Sequence, residues 1–151
     1  MKTSKDSFAI AVGTGLGLGY CPWAPGTLGS LWGLLLVCLF PGFRGVIGLA
    51  FLIPLGVWAA SRCEIIYAKK DSGRIVIDEV CGMWLTCLPF RPRPEILLAS
   101  FLLFRLWDIV KPPLASQSQS IHGGMGVMAD DLIAAIYSMY CLLILHWINL
   151  F

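Results

Sequence analysis

The chain has 151 residues, of which 58% are hydrophobic and only 13% are charged, and its mean hydropathy is +0.79. A soluble domain carries about 25% charged residues, so this composition favours a membrane protein. The net charge of +2 is too small to indicate nucleic-acid binding. The length predicts one domain over residues 1–151. The six cysteines form no CxxC pair, which argues against a zinc site or a disulfide framework.

The first half of the chain predicts two apolar helices behind a glycine-rich loop. After a short N-terminal helix, residues 13–29 are rich in glycine and proline, which is typical of a loop. Residues 28–40 then predict an apolar helix that a Pro-Gly pair ends. Residues 45–61 predict a second apolar helix, kinked at Pro54.

The second half alternates polar segments with apolar helices. Residues 62–79 are the polar part of the chain, and residues 80–90 are apolar again. A proline-rich turn precedes a helix over 95–110, which a Lys-Pro-Pro sequence ends. A polar loop then leads to a last helix that runs from Asp131 to the C-terminus. The pattern predicts an all-α fold, a compact multi-helical bundle embedded in a membrane.

Some of these helices are too short to cross a bilayer. The eleven residues from 80 to 90 make only about 16 Å of helix at 1.5 Å per residue. The hydrocarbon core of a bilayer is about 30 Å thick. Short helices of this kind are therefore expected to be re-entrant, half-immersed or packed inside the bundle. A wholly soluble bundle of apolar helices is the alternative.

Alternating helix directions place the long loops on one side of the bundle. Residues 13–29, 62–79 and 108–131 collect there, and the short turns lie opposite. The loop-rich side carries six basic residues, which are Arg62, Lys69, Lys70, Arg74, Arg105 and Lys111. The opposite side carries three, which are Arg44, Arg91 and Arg93. Because cytoplasmic loops carry an excess of Lys and Arg, the loop-rich side is predicted to be cytoplasmic.

Five acidic residues fall in three clusters that this topology brings to the same face: Asp78-Glu79, Asp108 and Asp130-Asp131. The last pair is predicted at the mouth of the final apolar helix. Acids at the level of a membrane are costly and mark functional sites. An oxygen-rich site without nearby thiolates suits Mg²⁺, which leaves room for water and phosphate. Both acidic pairs could instead be N-terminal acids favoured by a helix dipole.

Two basic residues are spaced to share a helix face with Asp108. Arg105 precedes it by three residues and Lys111 follows it by three. Cationic side chains beside a metal ion are what a phosphoryl oxygen needs. The alternative is a purely structural ion pair between Arg105 and Asp108.

The glycine-containing loops offer weaker candidates. The cluster at residues 13–19 matches neither a dinucleotide-binding fingerprint nor a P-loop. Thr27 and Ser30 could cap the following helix or contact phosphate. His122, which precedes Gly123-Gly124 in the acidic loop, could act as a general acid or base or contact phosphate. The equal alternative is that His122 is a loop residue with no part in binding or catalysis.

Four blocks of sequence carry a resemblance to a known family. They are Gly15-Leu16-Gly17 with residues 22–30, then residues 78–84, 104–112 and 122–131. In this order, over most of the chain, they resemble the phosphatidylglycerophosphatase A family, whose soluble relatives form the YutG-like all-helical group. The chain departs mildly from the family at Val127 and Ala129, and between Pro112 and His122 it lacks aromatic residues. Neither departure touches a proposed ligand.

The resemblance implies a Mg²⁺-dependent phosphatase that converts phosphatidylglycerol phosphate to phosphatidylglycerol and inorganic phosphate at a bacterial inner membrane. Its partners would be this lipid and the membrane, with no nucleic acid, and its oligomeric state is open. The residues expected to carry the reaction are Asp78, Glu79, Arg105, Asp108, Lys111, His122, Asp130 and Asp131. The expected metal ligands are Asp78, Glu79, Asp108 and Asp131. The expected phosphate contacts are Thr27, Ser30, Arg105, Lys111, Gly123 and Gly124.

Two chemistries stay open at this point, attack by a water activated by the cation and an aspartyl-phosphate intermediate. A different class of function also stays open, a small integral-membrane transport or scaffold protein whose acids line an ion path. Two other kinds of lipid-phosphate enzyme are disfavoured. The chain lacks both the Ser-Gly-His block of acid-phosphatase-type lipid phosphatases and the acidic run of CDP-alcohol transferases.

Overall fold

The computed structural model of the chain describes residues 3–111 and 121–148. In these two stretches the regular structure is entirely helical, which confirms the all-α prediction. The helices are α1 (Ser4–Gly13), α2 (Pro25–Leu39), α3 (Phe43–Tyr67), α4 (Ile77–Cys87), α5 (Pro94–Val110) and α6 (Gly124–Trp147). A single 3₁₀ turn, Leu18–Tyr20, precedes α2. Most of the polar loop predicted after α5 lies outside the described residues.

Helix α4 is the centre of the bundle. It packs against α2, α3, α5 and α6, and nine of its eleven residues are buried. Met83, Val80 and Cys81 are fully enclosed, and Phe104 of α5 packs beside them in the same core. A helix of this length, shielded on all sides, fits the expectation of short helices packed inside the bundle.

Glycines on α2 let it approach α4 closely. A Cβ atom on Gly33 would lie 2.7 Å from the Val80 carbonyl oxygen, and one on Gly29 would lie 3.0 Å from the Val76 carbonyl oxygen. Real Cβ atoms do not approach backbone atoms this closely, so a side chain at Gly33 would force the two helices apart. The start of α4 is also tied to the end of α1, because the Val76 N–H donates to the Gly13 carbonyl at 2.8 Å.

Gly33→Val is expected to lower the free energy of unfolding by about 1–3 kcal/mol, the usual cost of overpacking a tight interface. Denaturant unfolding in detergent, followed by tryptophan fluorescence, measures the change. Leu35→Ala is the matched control, because Leu35 lies on the exposed side of the same helix. Equal stability of Gly33→Val and the parent protein would mean that the α2–α4 contact is not tight.

Two helices, α3 and α6, are long and apolar enough to cross a membrane. The apolar segment of each has 24 residues, which makes about 36 Å of helix against a hydrocarbon core of about 30 Å. Only 28% of the most apolar part of α3 is buried inside the protein. Large apolar side chains such as Phe51 and Ile65 on α3 and Tyr140 on α6 are mostly exposed. Exposed apolar surface on this scale indicates a membrane protein.

Helices α2 and α3 are longer than predicted. Residues 25–27, predicted as loop, belong to the first turn of α2, because Pro25 at the first helical position has a φ angle preset for a helix. Helix α3 passes through Pro54 and continues beyond Ser61 to Tyr67. The polar residues just after Ser61 lie within α3 and do not end it. Cys63 in this segment is fully buried, so this part of the helix still packs against the rest of the protein.

The last helix begins seven residues before the predicted start at Asp131. Helix α6 starts at Gly124, which packs against α3 so closely that a Cβ atom would overlap the Val57 carbonyl oxygen. The Gly124 N–H also donates to the Ser61 hydroxyl at 2.8 Å. This contact between helices outweighs the low helix propensity of glycine. Asp130 and Asp131 therefore lie about two turns into α6, so the prediction of acids at a helix mouth is wrong.

Helix α1 is held by a capping box and an ion pair. Thr3 and Asp6 exchange hydrogen bonds at the helix start, and Arg62 of α3 pairs with the Asp6 carboxylate. The hydrogen bond from the Thr3 N–H, and then that from Arg62, lower the pKa of Asp6 from 3.8 to about 2. The pair therefore links α1 to α3 through a carboxylate that stays charged in mild acid.

The contribution of Asp6 to the free energy of unfolding should depend on pH, because the pKa of Asp6 is lower in the folded protein. A carboxylate whose pKa is lower in the folded state stabilises fully above its unfolded pKa, near 4, and loses that contribution as the pH falls towards 2. Asp6→Asn is expected to lower the Tm at neutral pH and to make the Tm less sensitive to pH between 4 and 2. Thermal unfolding at several pH values tests both. A parallel pH dependence in Asp6→Asn and the parent would contradict the assignment.

Candidate active site

Three carboxylates, two of them buried and that of Glu79 half-buried, meet where α4 packs against α6. Helix α4 begins at Ile77, three residues before the predicted apolar segment, so Asp78 and Glu79 lie in its first turn, and Asp131 faces them from α6. One oxygen atom from each carboxylate lies within 4.8 Å of the others. We call these three residues the carboxylate cluster. Helices α4 and α6 are distant in sequence, so the cluster exists only in the folded chain.

The carboxylate cluster has unsatisfied oxygen atoms. Asp78 and Asp131 are 7% and 4% exposed, and Asp78 Oδ1, Glu79 Oε2 and Asp131 Oδ2 are buried without a hydrogen-bond donor. Burial, and then the charge of Glu79, raise the pKa of Asp78 well above its usual range. Burying several carboxylates without a counter-charge costs several kcal/mol per ion. A divalent cation would remove that cost, and a set of hard oxygen ligands fits Mg²⁺.

Asp108 lies beside the cluster and pairs with Arg105. The Arg105 Nη1 and Asp108 Oδ2 atoms are 2.6 Å apart on the same face of α5. The Asp108 carboxylate is close enough to interact with the charges of Glu79 and Asp131. It is not part of the compact group of three, however. Asp108 thus forms the ion pair considered from the sequence, at the edge of the acidic site.

Lys111 pairs with Asp130 rather than with Asp108. It follows the last residue of α5 with a left-handed backbone (φ 49°), and its Nζ lies 2.7 Å from Asp130 Oδ2. Burial opposes the shift, but the hydrogen bond and charge of Asp130 raise the pKa of Lys111. The two adjacent acids of α6 therefore have different surroundings. Asp131 joins the cluster, and Asp130 is the counter-ion of Lys111.

The N-terminus of α2 reaches the same site. A Cβ atom on Gly26 would collide with Glu79 Oε1 and lie 3.2 Å from Arg105 Nη1. The predicted caps are wrong, because Ala24 is the N-cap and no side chain caps α2. Ser30 is fully buried and donates its hydroxyl hydrogen to the Gly26 carbonyl at 2.9 Å. Thr27 is half-buried in the same turn, and its contact with phosphate stays a prediction.

The glycine loop before α6 leads directly into this helix, which carries Asp130 and Asp131. His122 is exposed, and Gly123 precedes α6 with a positive φ of 76°. The N–H of Gly124 is already used by Ser61. The proposed roles of His122 and Gly123 in binding or proton transfer stay predictions.

The sequence patterns did not indicate two residues that the structure places in this region. Gly26 allows α2 to approach Glu79, and the Pro-Gly-Thr sequence that opens α2 was the available signal. Asp71 lies near Asp130 in a small pocket that Lys70 also lines. Burial, and then the charge of Asp130, raise the pKa of Asp71. Asp71 sits in a polar stretch without periodicity, so nothing local in the sequence pointed to it.

The fold and this site define a helical membrane protein with an acidic site of the kind that holds a divalent cation, flanked by Arg105 and Lys111. A sequence model of one family, phosphatidylglycerophosphatase A, matches residues 11–146. The chain belongs to this family, and it is an enzyme of the hydrolase class. No solved structure matches the chain.

Curated relatives carry two different names. A protein of Bacteroides thetaiotaomicron named "Putative phosphatidylinositol-3-phosphatase" is 35% identical, over 92% of this chain and 94% of its own length. The phosphatidylglycerophosphatase A of Escherichia coli is 34% identical, over 97% of this chain and 88% of its own. That of Haemophilus influenzae is 35% identical, over 86% of this chain and 82% of its own.

Proposed function

We propose that this protein, as one domain over residues 1–151, is a Mg²⁺-dependent phosphatase that hydrolyses phosphatidylglycerol phosphate to phosphatidylglycerol and inorganic phosphate. The observation that carries the proposal is the carboxylate cluster, whose buried oxygen atoms lack donors. The names of the relatives from Escherichia coli and Haemophilus influenzae support the substrate.

The cluster residues Asp78, Glu79 and Asp131 would hold the ion, and Asp108 would adjust its charge from the edge. When bound, the ion supplies positive charge for the phosphate oxygens and lowers the pKa of water. Arg105 lies between Asp108 and the start of α2, where its guanidinium can turn towards a phosphate without leaving the site. Its ion pair with Asp108 holds it in place until a phosphate binds.

The α2 N-terminus would complete the phosphate site. Its first amide groups have no side-chain cap, and unpaired N–H groups at a helix start attract anions. Thr27 lies in this turn, and Lys111, which pairs with Asp130, would add a second cationic side chain. We infer that the terminal phosphate is held between these groups and the cation, with its leaving oxygen turned towards the membrane.

The membrane and its orientation are part of the proposal. Membership of the family implies a bacterial inner membrane, and the excess of basic residues on the loop-rich side favours an orientation with the carboxylate cluster facing the cytoplasm. In that orientation the headgroup phosphate reaches the cluster from the cytoplasmic leaflet, and the acyl chains stay in the bilayer.

A second substrate deserves a direct comparison because of the relative from Bacteroides thetaiotaomicron. Its name points to phosphatidylinositol 3-phosphate, which also presents a phosphomonoester above a lipid. The test is phosphate release by purified protein from both lipids in mixed micelles, with Mg²⁺ and with a chelator. We expect release from phosphatidylglycerol phosphate only with Mg²⁺. Faster release from the inositol lipid would replace the substrate assignment, and release from neither would favour a transport or scaffold role.

A further inference from the structure

A cavity of about 320 Å³ lies at the end of the bundle opposite to the carboxylate cluster. It is lined by residues 89–91, Arg93, Ile96, Leu143 and His146, which belong to the turn between α4 and α5, the first turn of α5 and the end of α6. Helix α4 is about 16 Å long and carries Asp78 and Glu79 in its first turn, so a cavity beyond its last turn is separate from the candidate active site. We call this cavity the arginine pocket.

The arginine pocket carries positive charge that no described acid neutralises. Arg91 and Arg93 are exposed, and neither guanidinium group forms an ion pair with a described residue. Glu95 is the one acid in the segments that line the pocket, and it pairs with neither arginine. The Arg93 N–H donates to the Arg91 carbonyl at 2.8 Å, so a tight turn holds the two residues close together. Two guanidinium groups without a counter-ion fit a phosphate, which arginine binds through paired hydrogen bonds.

His146 completes the polar side of the pocket from a second helix. It lies in the last turn of α6, and its ring meets the ring of Phe90 edge to face, with the centroids 6.2 Å apart. This contact places the imidazole against the α4–α5 turn, where it offers an N–H donor. An anion in the pocket would therefore bind to the turn and to α6 at the same time.

The pocket lies at the depth of lipid headgroups and changes from cationic to apolar towards the membrane. Helix α6 has 24 residues and is about 36 Å long, so its last turn reaches the boundary of a hydrocarbon core of about 30 Å. Trp147 is 83% exposed beside His146, and tryptophan is enriched at this boundary. Leu143 lies one turn deeper than His146, and Ile96 lies about one turn deeper than Arg93. A phospholipid has this same order of charge and hydrocarbon, whereas a soluble phosphate has no use for the apolar walls.

We propose that the arginine pocket binds the phosphodiester headgroup of an anionic phospholipid, in the leaflet opposite to the carboxylate cluster. The lipid phosphate would lie between Arg91 and Arg93, within reach of His146, and its acyl chains would pass Leu143 and Ile96 into the bilayer. The room is sufficient, since a cavity of about 150 Å³ already holds a molecule the size of benzene. This site is independent of the proposed reaction, because a phosphodiester has no terminal phosphate to lose. A bound lipid would hold the α4–α5 turn against α6 and so stabilise the folded protein.

Thermal unfolding of the full chain in an uncharged detergent tests the proposal. Dioleoyl phosphatidylglycerol is expected to raise the Tm by about 5 °C when it is well above its Kd. Dioleoyl phosphatidylcholine, which has no net charge, and soluble glycerol phosphate should each raise it much less. Arg91→Gln combined with Arg93→Gln should remove more than half of the shift. Arg44→Gln should retain the shift, because Arg44 is an exposed arginine at the same end of the bundle that does not line the pocket.

Three results of this experiment would overturn the proposal. An equal shift with phosphatidylcholine would mean that the pocket does not recognise charge. An equal shift with glycerol phosphate would make it a site for soluble anions. A full shift in the double variant would mean that the lipid binds elsewhere.

A second measurement uses the unmodified protein and so does not depend on how the variants fold. The protein is irradiated with phosphatidylglycerol that carries a diazirine close to the headgroup, and the labelled peptides are identified by mass spectrometry. Labels are expected within residues 88–96 and 142–148, which surround the arginine pocket. Labels confined to other segments, such as the first turns of α2 and α4, would rule out the pocket as the lipid site.

Discussion

Glu79→Gln and Asp131→Asn are each expected to abolish phosphate release, with a loss of more than about a hundredfold, since even the outer partners of metal ligands are worth 10- to 100-fold. Each substitution removes one of the three charges that would hold the cation, without changing the size of the side chain. The same change relieves repulsion among buried carboxylates. The Tm of the metal-free protein should therefore stay the same or rise.

Phosphate release and the Tm together distinguish a cation site from an acidic cluster with only a structural role. A ligand that binds only the folded protein raises its Tm, so Mg²⁺ should raise the Tm of the parent protein and not that of either variant. Glu95→Gln is the control, because Glu95 is an exposed acid at the start of α5. Full activity in Glu79→Gln and Asp131→Asn, with an unchanged response to Mg²⁺, would eliminate this site.

Gly26→Ala is expected to lower activity by about a hundredfold, because a misplacement of about 1 Å in a catalytic group costs that much. The new Cβ atom would collide with Glu79 Oε1 and push that carboxylate away from Asp78 and Asp131. The end of a glutamate side chain moves easily, so the free energy of unfolding should change little. Activity should fall through kcat, since the displaced carboxylate would help to hold the cation beside the reacting phosphate.

Gly73→Ala is the matched control for this substitution. A Cβ atom on Gly73 meets no atom within 4 Å, and its backbone does not need a positive φ. The control should retain the activity and Tm of the parent. If Gly26→Ala is equally active, the approach of α2 to Glu79 has no role in positioning the carboxylate.

The sequence predicted better which acids come together, Asp78, Glu79 and Asp131 among them, than where the helices begin. Asp78 and Glu79 precede a clear apolar segment, so their place in the first turn of α4 could be foreseen. The start of α6 could not, because Gly124 lowers helix propensity and only its contact with α3 reveals the reason. Because the predicted start of α6 was seven residues too late, the sequence placed Asp130 and Asp131 at the helix N-terminus instead of inside the helix.

Asp130 and Asp131 have different partners because both lie inside α6. Adjacent residues on a helix point about 100° apart, so one acid can face α4 while its neighbour faces the end of α5. The pairing of Lys111 with Asp130 could not be predicted from spacing. It depends on the left-handed backbone of Lys111, which turns its side chain away from the α5 face that Asp108 occupies.

The position of Asp131 along α6 has a consequence for the host bilayer. Asp131 is the eighth residue of α6, about 10 Å along the axis from the helix start, whereas the whole helix exceeds the hydrocarbon thickness by only about 6 Å. A centred α6 would place this carboxylate below the plane of the lipid phosphates. The bilayer around the protein would therefore thin on the side where α6 begins to bring phosphates to the cluster, and hydrophobic mismatch would tie turnover to membrane thickness.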